Sequence, residues 1–542
     1  MLPASDFTGA GASWGSVSSS LTLYLPVICL ALYLLYFLYI HPLAKYPGPV
    51  LSKVTSARAA YHAWNGDLHL DMWLCHRKYG SPIVRYGPNH LIFEDPAVLK
   101  DIYAAGQNVS KPSMYSGPGN GKANLLTLAD KKEHSRRRRL IGRGFTESSL
   151  RAFTPRLVHH IQRFCAIIDR ESRYGTASQS RWSPPLDMSD WCSYLTFDIM
   201  CDFVFGVSYN LLESEELRRI TVDIEDAKMR AAILVWAPYL FIGRLDKMLF
   251  KGSVRARNRY LVFLNRLLAD SSARETREYD IFAYLNSSKY TEDGALDHRQ
   301  ILSETSLLVV AGYDTTATAL CALLFYLSRN PHAYNRLTHE IRSVFPPSSQ
   351  ITSPRKLEES PSLSSYLTAC IDESLRMSPP IASCLFREVG AGGITVDNEF
   401  IEPGMLIGTG VYSLHHNPRN YERPDEFIPE RWLDEESGSD MEIDGEKDKD
   451  KPKSTTRPAF MPFSMGPRAC IGKSLALMEL SMTVASLLAR FDIRVAAGQE
   501  GMLGAGDVLA GLGRASPGEF QLYEWISCAK KGPLIQVRPV VR

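Results

Sequence analysis

The sequence predicts a mainly α protein with small β-sheets, preceded by one N-terminal transmembrane helix. Apolar residues recur with a helical period through most of residues 50 to 300, where strand signals are few. A long apolar run of helical length, Ile301 to Ser328, follows, and Leu21 to Ile40 carries no charged residue at all. The chain has 542 residues, 45% of them apolar, which is ample for a large core.

Residues 1–20 read as a short lumenal N-terminus and residues 21–40 as the anchor. At 1.5 Å per residue, Leu21 to Ile40 covers roughly the 30 Å of a bilayer core. Pro26 lies near one end, where a spanning helix tolerates it. Tyr24, Tyr36 and Tyr39 lie near the two ends, where aromatic rings favour the membrane interface. No Lys or Arg precedes Lys45, and Lys45, Lys53 and Arg58 follow the span, which places the rest of the chain in the cytosol. A cleaved signal peptide is disfavoured by the missing basic N-terminal region and cleavage pattern.

Residues 41–50 contain Tyr46-Pro-Gly-Pro49, which stops the helix and makes a stiff hinge. Residues 51–542 form the folded body. Strand-like runs occur at Ile83 to Tyr86, His90 to Glu94, Gly393 to Ile407 and Leu534 to Val541. Residues 434–456 are rich in Asp, Glu, Lys, Ser and Gly and too polar to pack, so they read as a disordered surface insertion.

Lys and Arg number 61 against 59 Asp and Glu, so no charge excess points to nucleic acid. The ten cysteines show neither paired nor zinc-like spacing, which argues for a reducing compartment.

One cysteine stands apart. Phe463 to Gly472 reads Phe-Ser-Met-Gly-Pro-Arg-Ala-Cys-Ile-Gly. Gly466 and Pro467 build a turn, Cys470 follows, and an apolar helical stretch begins. A thiolate near a helix N-terminus is stabilised by free N–H groups and the dipole, and it makes an axial ligand for haem iron. Gly472 lets a flat macrocycle approach closely. Arg468 offers a planar fork to a carboxylate. A lone cysteine is more often a buried small hydrophobe. Within the long apolar run stands Ala311-Gly-Tyr-Asp-Thr-Thr316, where Gly312 costs about 1 kcal/mol relative to alanine. Ala311, Gly312, Thr315 and Thr316 share one small, partly polar helix face. Close helix packing is the plain alternative.

Together these segments resemble the cytochrome P-450 family of haem-thiolate monooxygenases, most closely fungal microsomal members of secondary metabolism. Phe463, Gly466, Arg468, Cys470 and Gly472 match every specified position of the haem-binding loop, and residues 311–316 match the oxygen-side helix motif. The resemblance implies haem b (heme, iron protoporphyrin IX) with Cys470 as its metal ligand, lying against Ala311 and Gly312. It implies that Thr315 holds the oxygen ligand and that Asp314 relays protons. It joins Glu373 and Arg376 of Glu-Ser-Leu-Arg to Arg431 of Phe-Ile-Pro-Glu-Arg-Trp as a buried structural triad. It places His134, Arg138 and Arg387 at the haem propionates, with His134 departing from the tryptophan usual there. His415 is a weaker candidate for the haem edge.

The resemblance further implies electrons from NADPH through NADPH-cytochrome P-450 reductase, with cytochrome b5 as a second donor, docked on the basic face around Arg136, Arg137 and Arg139. It implies a single-pass protein of the endoplasmic reticulum membrane. Its hydrophobic substrate would be held by Met114 to Leu126, Leu307 to Ala311, Ile381 to Phe386 and Trp525 to Cys528. Terpenoid, polyketide or alkaloid biosynthesis is the implied setting. A reductase-independent haem-thiolate isomerase or dehydratase, and a non-catalytic haem-binding protein, remain alternatives.

Overall fold

The computed structural model describes residues 14–115, 123–173, 182–272, 281–286, 296–346, 350–433, 456–511 and 513–540. Among the described residues helices dominate, and twelve short strands form four small sheets. Most of the polar insertion, residues 434–455, lies outside the described residues.

At the core runs the central helix, His298–Arg329. It begins at a capping box, in which Asp297 and Gln300 satisfy each other's backbone N–H groups. Its C-terminal half, Ala317 to Leu327, is buried on every side and correspondingly apolar. It packs along Met188–Phe205, where the ring of Phe197 meets Tyr313 edge-on at 5.3 Å. This helix is long and apolar enough to cross a membrane, yet it lies in the protein interior.

The largest sheet orders as β1 (Ile83–Gly87), β2 (His90–Phe93), β8 (Leu406–Thr409), β5 (Arg387–Val389) and β3 (Val109–Ser110). β1 and β2 pair antiparallel, whereas β2 and β8 pair parallel. β4 (Leu186–Asp187), β12 (Leu534–Pro539) and β9 (Phe491–Val495) form a second sheet. β6 (Ile394–Val396) and β7 (Glu399–Ile401) are joined by Asp397 and Asn398, both at positive φ, the backbone a tight two-residue hairpin demands. A last hairpin, β10 (Leu522–Trp525) and β11 (Ser527–Lys530), turns at Ile526 and packs on the central helix.

The strand-like runs near residues 83, 90, 393 and 534 therefore correspond to observed strands. β3, β4, β5, β9, β10 and β11 fall outside those runs, since strands of two to five residues barely establish an alternation.

At the N-terminus, helix Trp14–Leu35 passes through Pro26 and ends in a π turn, Tyr36–Ile40. Its apolar side chains from Tyr24 onward are largely exposed. The described apolar stretch, Tyr24–Ile40, is shorter than a full membrane span.

Three buried histidines give the fold a pH dependence. Burial holds His76 and His90 down to about 4 and His415 to about 3, from an ordinary 6.5. Their depressed values favour the native state above 6.5, and that contribution is lost as pH falls toward 3, because only the unfolded chain binds the protons. Thermal unfolding followed from pH 7 to pH 4 is expected to show a falling midpoint with net proton uptake on unfolding.

Candidate active site

The Cys470 loop is preorganised by its own backbone. The Cys470 N–H donates to the Phe463 carbonyl at 2.9 Å, and Ala469 N–H closes the turn onto Gly466 O at 3.0 Å. Gly466 has φ +68°, and a Cβ there would lie 1.9 Å from the Tyr103 carbonyl oxygen. Gly466→Ala is therefore expected to displace the loop and lower haem content severalfold, measured as absorbance ratio in purified protein. Gly472 is different: a Cβ would meet only Phe145, at an ordinary 3.6 Å. The surrounding protein does not demand glycine there. Gly472 caps the helix Lys473–Arg490.

Cys470 and Cys29 are exposed, while the remaining cysteines are buried. Burial pushes the Cys470 thiol up, and the Gly472 N–H, Arg138 and Lys473 oppose this without overcoming it. The helix terminus alone does not make a thiolate. A bound metal cation does, by deprotonating its sulfur ligand outright.

The central helix supplies a partly open surface in its buried middle. Ala311 is exposed and Thr315 half-exposed, whereas Tyr313, Asp314 and Thr316 are buried. The Thr315 hydroxyl donates to the Ala311 carbonyl at 2.6 Å. Gly312 has a packing reason to be glycine, since a Cβ would sit 2.4 Å from the Met200 sulfur. The shared face read from the sequence thus divides. Ala311 and Thr315 are accessible, Gly312 accommodates the neighbouring helix, and Thr316 is covered.

Asp314 turns away into an ion cluster. Lys228, from helix Arg219–Trp236, donates to its Oδ2, as does the Ser527 hydroxyl at 2.5 Å. Lys530 lies 3.6 Å from Oδ1. Burial alone would raise the acid, but the two lysine charges outweigh it and hold Asp314 ionised. None of these partners was legible in the sequence, because they come from a distant helix and a hairpin.

Beside the cysteine loop, cations gather without an ion-paired carboxylate among the described residues, the charge of Asp130 acting on Arg468 from farther off. Arg138 donates to the Ala469 carbonyl at 2.7 Å, Arg387 to Phe386 O at 2.9 Å, and Arg468 weakly to Ala129 O at 3.4 Å. Lys111, which the sequence reading missed, donates to Leu126 O at 2.6 Å. Burial and mutual repulsion lower Arg468 to about 10, Lys111 to about 7 and His134 to about 4. Arg468 Nη1 is buried with no hydrogen-bond partner, and among the described residues none of the four cations has a carboxylate in reach. Arg387 is buried and Arg138, Arg468 and Lys111 are half-buried, and partly desolvated cations in this number favour an anion among them. Two carboxylates on one flat group, the propionates of haem, meet that need. Arg137 does not share it, since it pairs with the buried Glu304 at 2.8 Å, and Arg136 pairs with Glu133. The basic face read from residues 136–139 is correspondingly smaller than its sequence suggests.

The buried charge network forms around Glu373. Arg376 grips both its oxygens, at 2.9 and 3.0 Å, and Arg431 Nε donates to Oε1 at 3.0 Å. Trp432 Nε1 and the Ile428 N–H complete the shell. Arg376 also donates to His415 O at 2.9 Å. His415 returns a bond from Nδ1 to Arg376 O and accepts the Met461 N–H at Nε2. His415 therefore bridges the network to the start of the cysteine loop.

The walls expected for a substrate are tied to one another. Phe386 N–H donates to the Tyr115 hydroxyl at 3.1 Å, and Glu524 Oε1 accepts from Ala382 and Ser383. Cys528 N–H reaches Pro380 O at 2.9 Å. Residues 116–122 of the first wall lie outside the described residues.

An accessible cysteine in a rigid loop, a partly open helix face of small residues and a cluster of cations are features that would fit a haem-thiolate site. The Cytochrome P450 family model matches residues 47–504. The chain is 40% identical over 511 residues to the cytochrome P450 monooxygenase poxM of Penicillium oxalicum, covering 94% of this chain and 92% of that one. It is 36% identical to the cytochrome P450 monooxygenase atnE of Emericella nidulans, with 99% of each chain covered. A third relative, the cytochrome P450 monooxygenase AKT7 of Alternaria alternata, is 36% identical over 93% of this chain and 94% of its own. The chain belongs to the cytochrome P450 monooxygenase family and is an oxidoreductase.

Proposed function

We propose that this chain is a single-pass protein of the endoplasmic reticulum membrane that inserts one oxygen atom from dioxygen into a hydrophobic small molecule, in the biosynthesis of a terpenoid, polyketide or alkaloid. Leu21 to Ile40 is its anchor, residues 41–50 the connector, and residues 51–542 the cytosolic catalytic domain. The observation that carries the reading is the accessible Cys470 beside cations that lack anionic partners.

Haem b, when bound, activates dioxygen with two electrons from NADPH, delivered by a reductase with cytochrome b5 as an auxiliary donor. Cys470 supplies the sulfur ligand. Arg138, Arg387, Arg468 and Lys111 hold the propionates, and His134 contributes a neutral ring. Ala311 keeps the oxygen side open. The apolar walls hold the substrate and exclude water, which strengthens every charge interaction inside.

Thr315 keeps its hydroxyl proton on the Ala311 carbonyl, the polar hydrogen of the 311–316 motif on its half-exposed side. Asp314 is ionised and held by Lys228, so in this geometry it carries no proton. Thr315 is the hydroxyl nearest the open face, able to pass a proton once released from Ala311 O, and Asp314 sets the charge behind it. Thr315→Ala is expected to retain haem while diverting most of its NADPH into peroxide, since a positioned acid–base group contributes roughly 10²–10⁴-fold to the productive step. Peroxide yield per NADPH checks this, and fully coupled turnover would contradict it. Turnover that proceeds without NADPH and reductase would instead favour an isomerase or dehydratase.

A further inference from the structure

Arg85, in β1, is fully buried and has no carboxylate partner among the described residues. Its guanidinium is spent on backbone carbonyls. Nη1 donates to Phe37 O at 2.7 Å, Nη2 to Lys53 O at 3.2 Å and to Pro88 O at 2.8 Å, and Nε to Pro88 O at 3.2 Å. Burial lowers it only to about 10, so it stays a cation at neutral pH.

The Phe37 carbonyl belongs to the last turn of the N-terminal helix. That turn is π-helical, with His41 N–H bonded back to Tyr36 O, so neighbouring carbonyls are left for other donors. A cation at a helix C-terminus is also favoured by the dipole. Lys53 lies in the short helix Val50–Val54 after Pro-Gly-Pro. One planar side chain thus joins the end of the N-terminal helix, the short helix that follows the connector and the β1–β2 turn.

Other contacts reinforce the joint. The Tyr33 hydroxyl donates to Val54 O at 2.6 Å. His41 Nδ1 accepts the Leu43 N–H, so its Nε2–H donates to Asn89 Oδ1 at 3.1 Å. Arg85 N–H donates to Pro47 O at 2.8 Å, and a Cβ on Gly48 would lie 2.2 Å from Arg85 O. The connector lies flush on β1 instead of swinging free.

We infer that Arg85 locks the N-terminal helix to the catalytic domain, so that the two move as one body and the domain keeps a single tilt to the membrane. This rests on the anchor reading given above. A buried arginine without an acid is costly, and its four bonds reach three separate segments. A tether that only had to retain the domain near a membrane would need none of them.

The full-length, haem-loaded protein in aligned nanodiscs tests this by polarised absorption of the Soret band. Wild type is expected to give a dichroic ratio well away from the isotropic value. Arg85→Met is expected to lose most of that dichroism while remaining membrane-bound. Should Arg85→Met fail to fold, Tyr33→Phe combined with Asn89→Ala cuts the joint more gently, and a partial loss is expected. Variants that fold, stay bound and keep the wild-type ratio would overturn the lock. Carbonate extraction of wild type into the supernatant would overturn the anchor reading instead. Hydrogen exchange then decides the lock in solution. Amides 41–54 should exchange at least tenfold faster in either variant, and unchanged rates would overturn it.

Discussion

Cys470→Ala is expected to abolish thiolate ligation and all monooxygenase turnover while leaving the fold intact. The side chain is accessible, so truncation removes no core packing. Its N–H still donates to Phe463 O, and Gly466 still fixes the loop, because both depend on backbone alone. Removing the sulfur takes away the only ligand the loop offers, and with it the electron density that favours oxygen cleavage. Neighbouring cysteines cannot substitute, since they are buried elsewhere. The carbon monoxide spectrum of the reduced variant checks this. An unchanged thiolate-type band would show that another residue holds the iron.

Glu373→Ala is expected to be the most destabilising single change in the chain. The carboxylate is fully buried and receives Arg376 through two bonds, Arg431, Trp432 and the Ile428 N–H. Losing it leaves two arginines buried or nearly so without a counter-charge. Breaking such a pair costs roughly 3–5 kcal/mol, against a total stability of about 5–15 kcal/mol. The damage should spread to the cysteine loop, because Arg376 holds His415 and His415 holds Met461. Calorimetry and haem retention measure it together. Glu373→Gln should fail nearly as badly, since it preserves shape and removes the charge. A Glu373→Ala protein with wild-type melting and full haem content would contradict the network.

Much of this was legible in the sequence, and the limits are physical. Helical periodicity identified the dominant class because long amphipathic and apolar helices repeat their signal many times. The short strands did not, because β3 and β4 hold two residues each. Cys470 stood out because its loop motif is contiguous in the chain, whereas Glu373, Arg376 and Arg431 were joined only by the family resemblance, Arg431 lying 58 residues from Glu373. Lys111, Lys228, Lys530, Ser527 and Trp432 could not be assigned roles, because their partners lie far away along the chain. Gly312 and Arg137 carry packing and charge reasons that one dimension does not show. Each fits a functional pattern in one dimension, yet in three dimensions Gly312 makes room for Met200 and Arg137 neutralises Glu304. A pattern records which residue types are compatible with a site, while packing decides which of them face it.

The most direct measurement is the absorption spectrum of purified wild-type protein, reduced and exposed to carbon monoxide. A Soret band at the position of a sulfur-ligated complex is expected. Protein without porphyrin, or with the band of a histidine-ligated complex, would contradict a Cys470–iron bond and with it the assignment of every residue around the site.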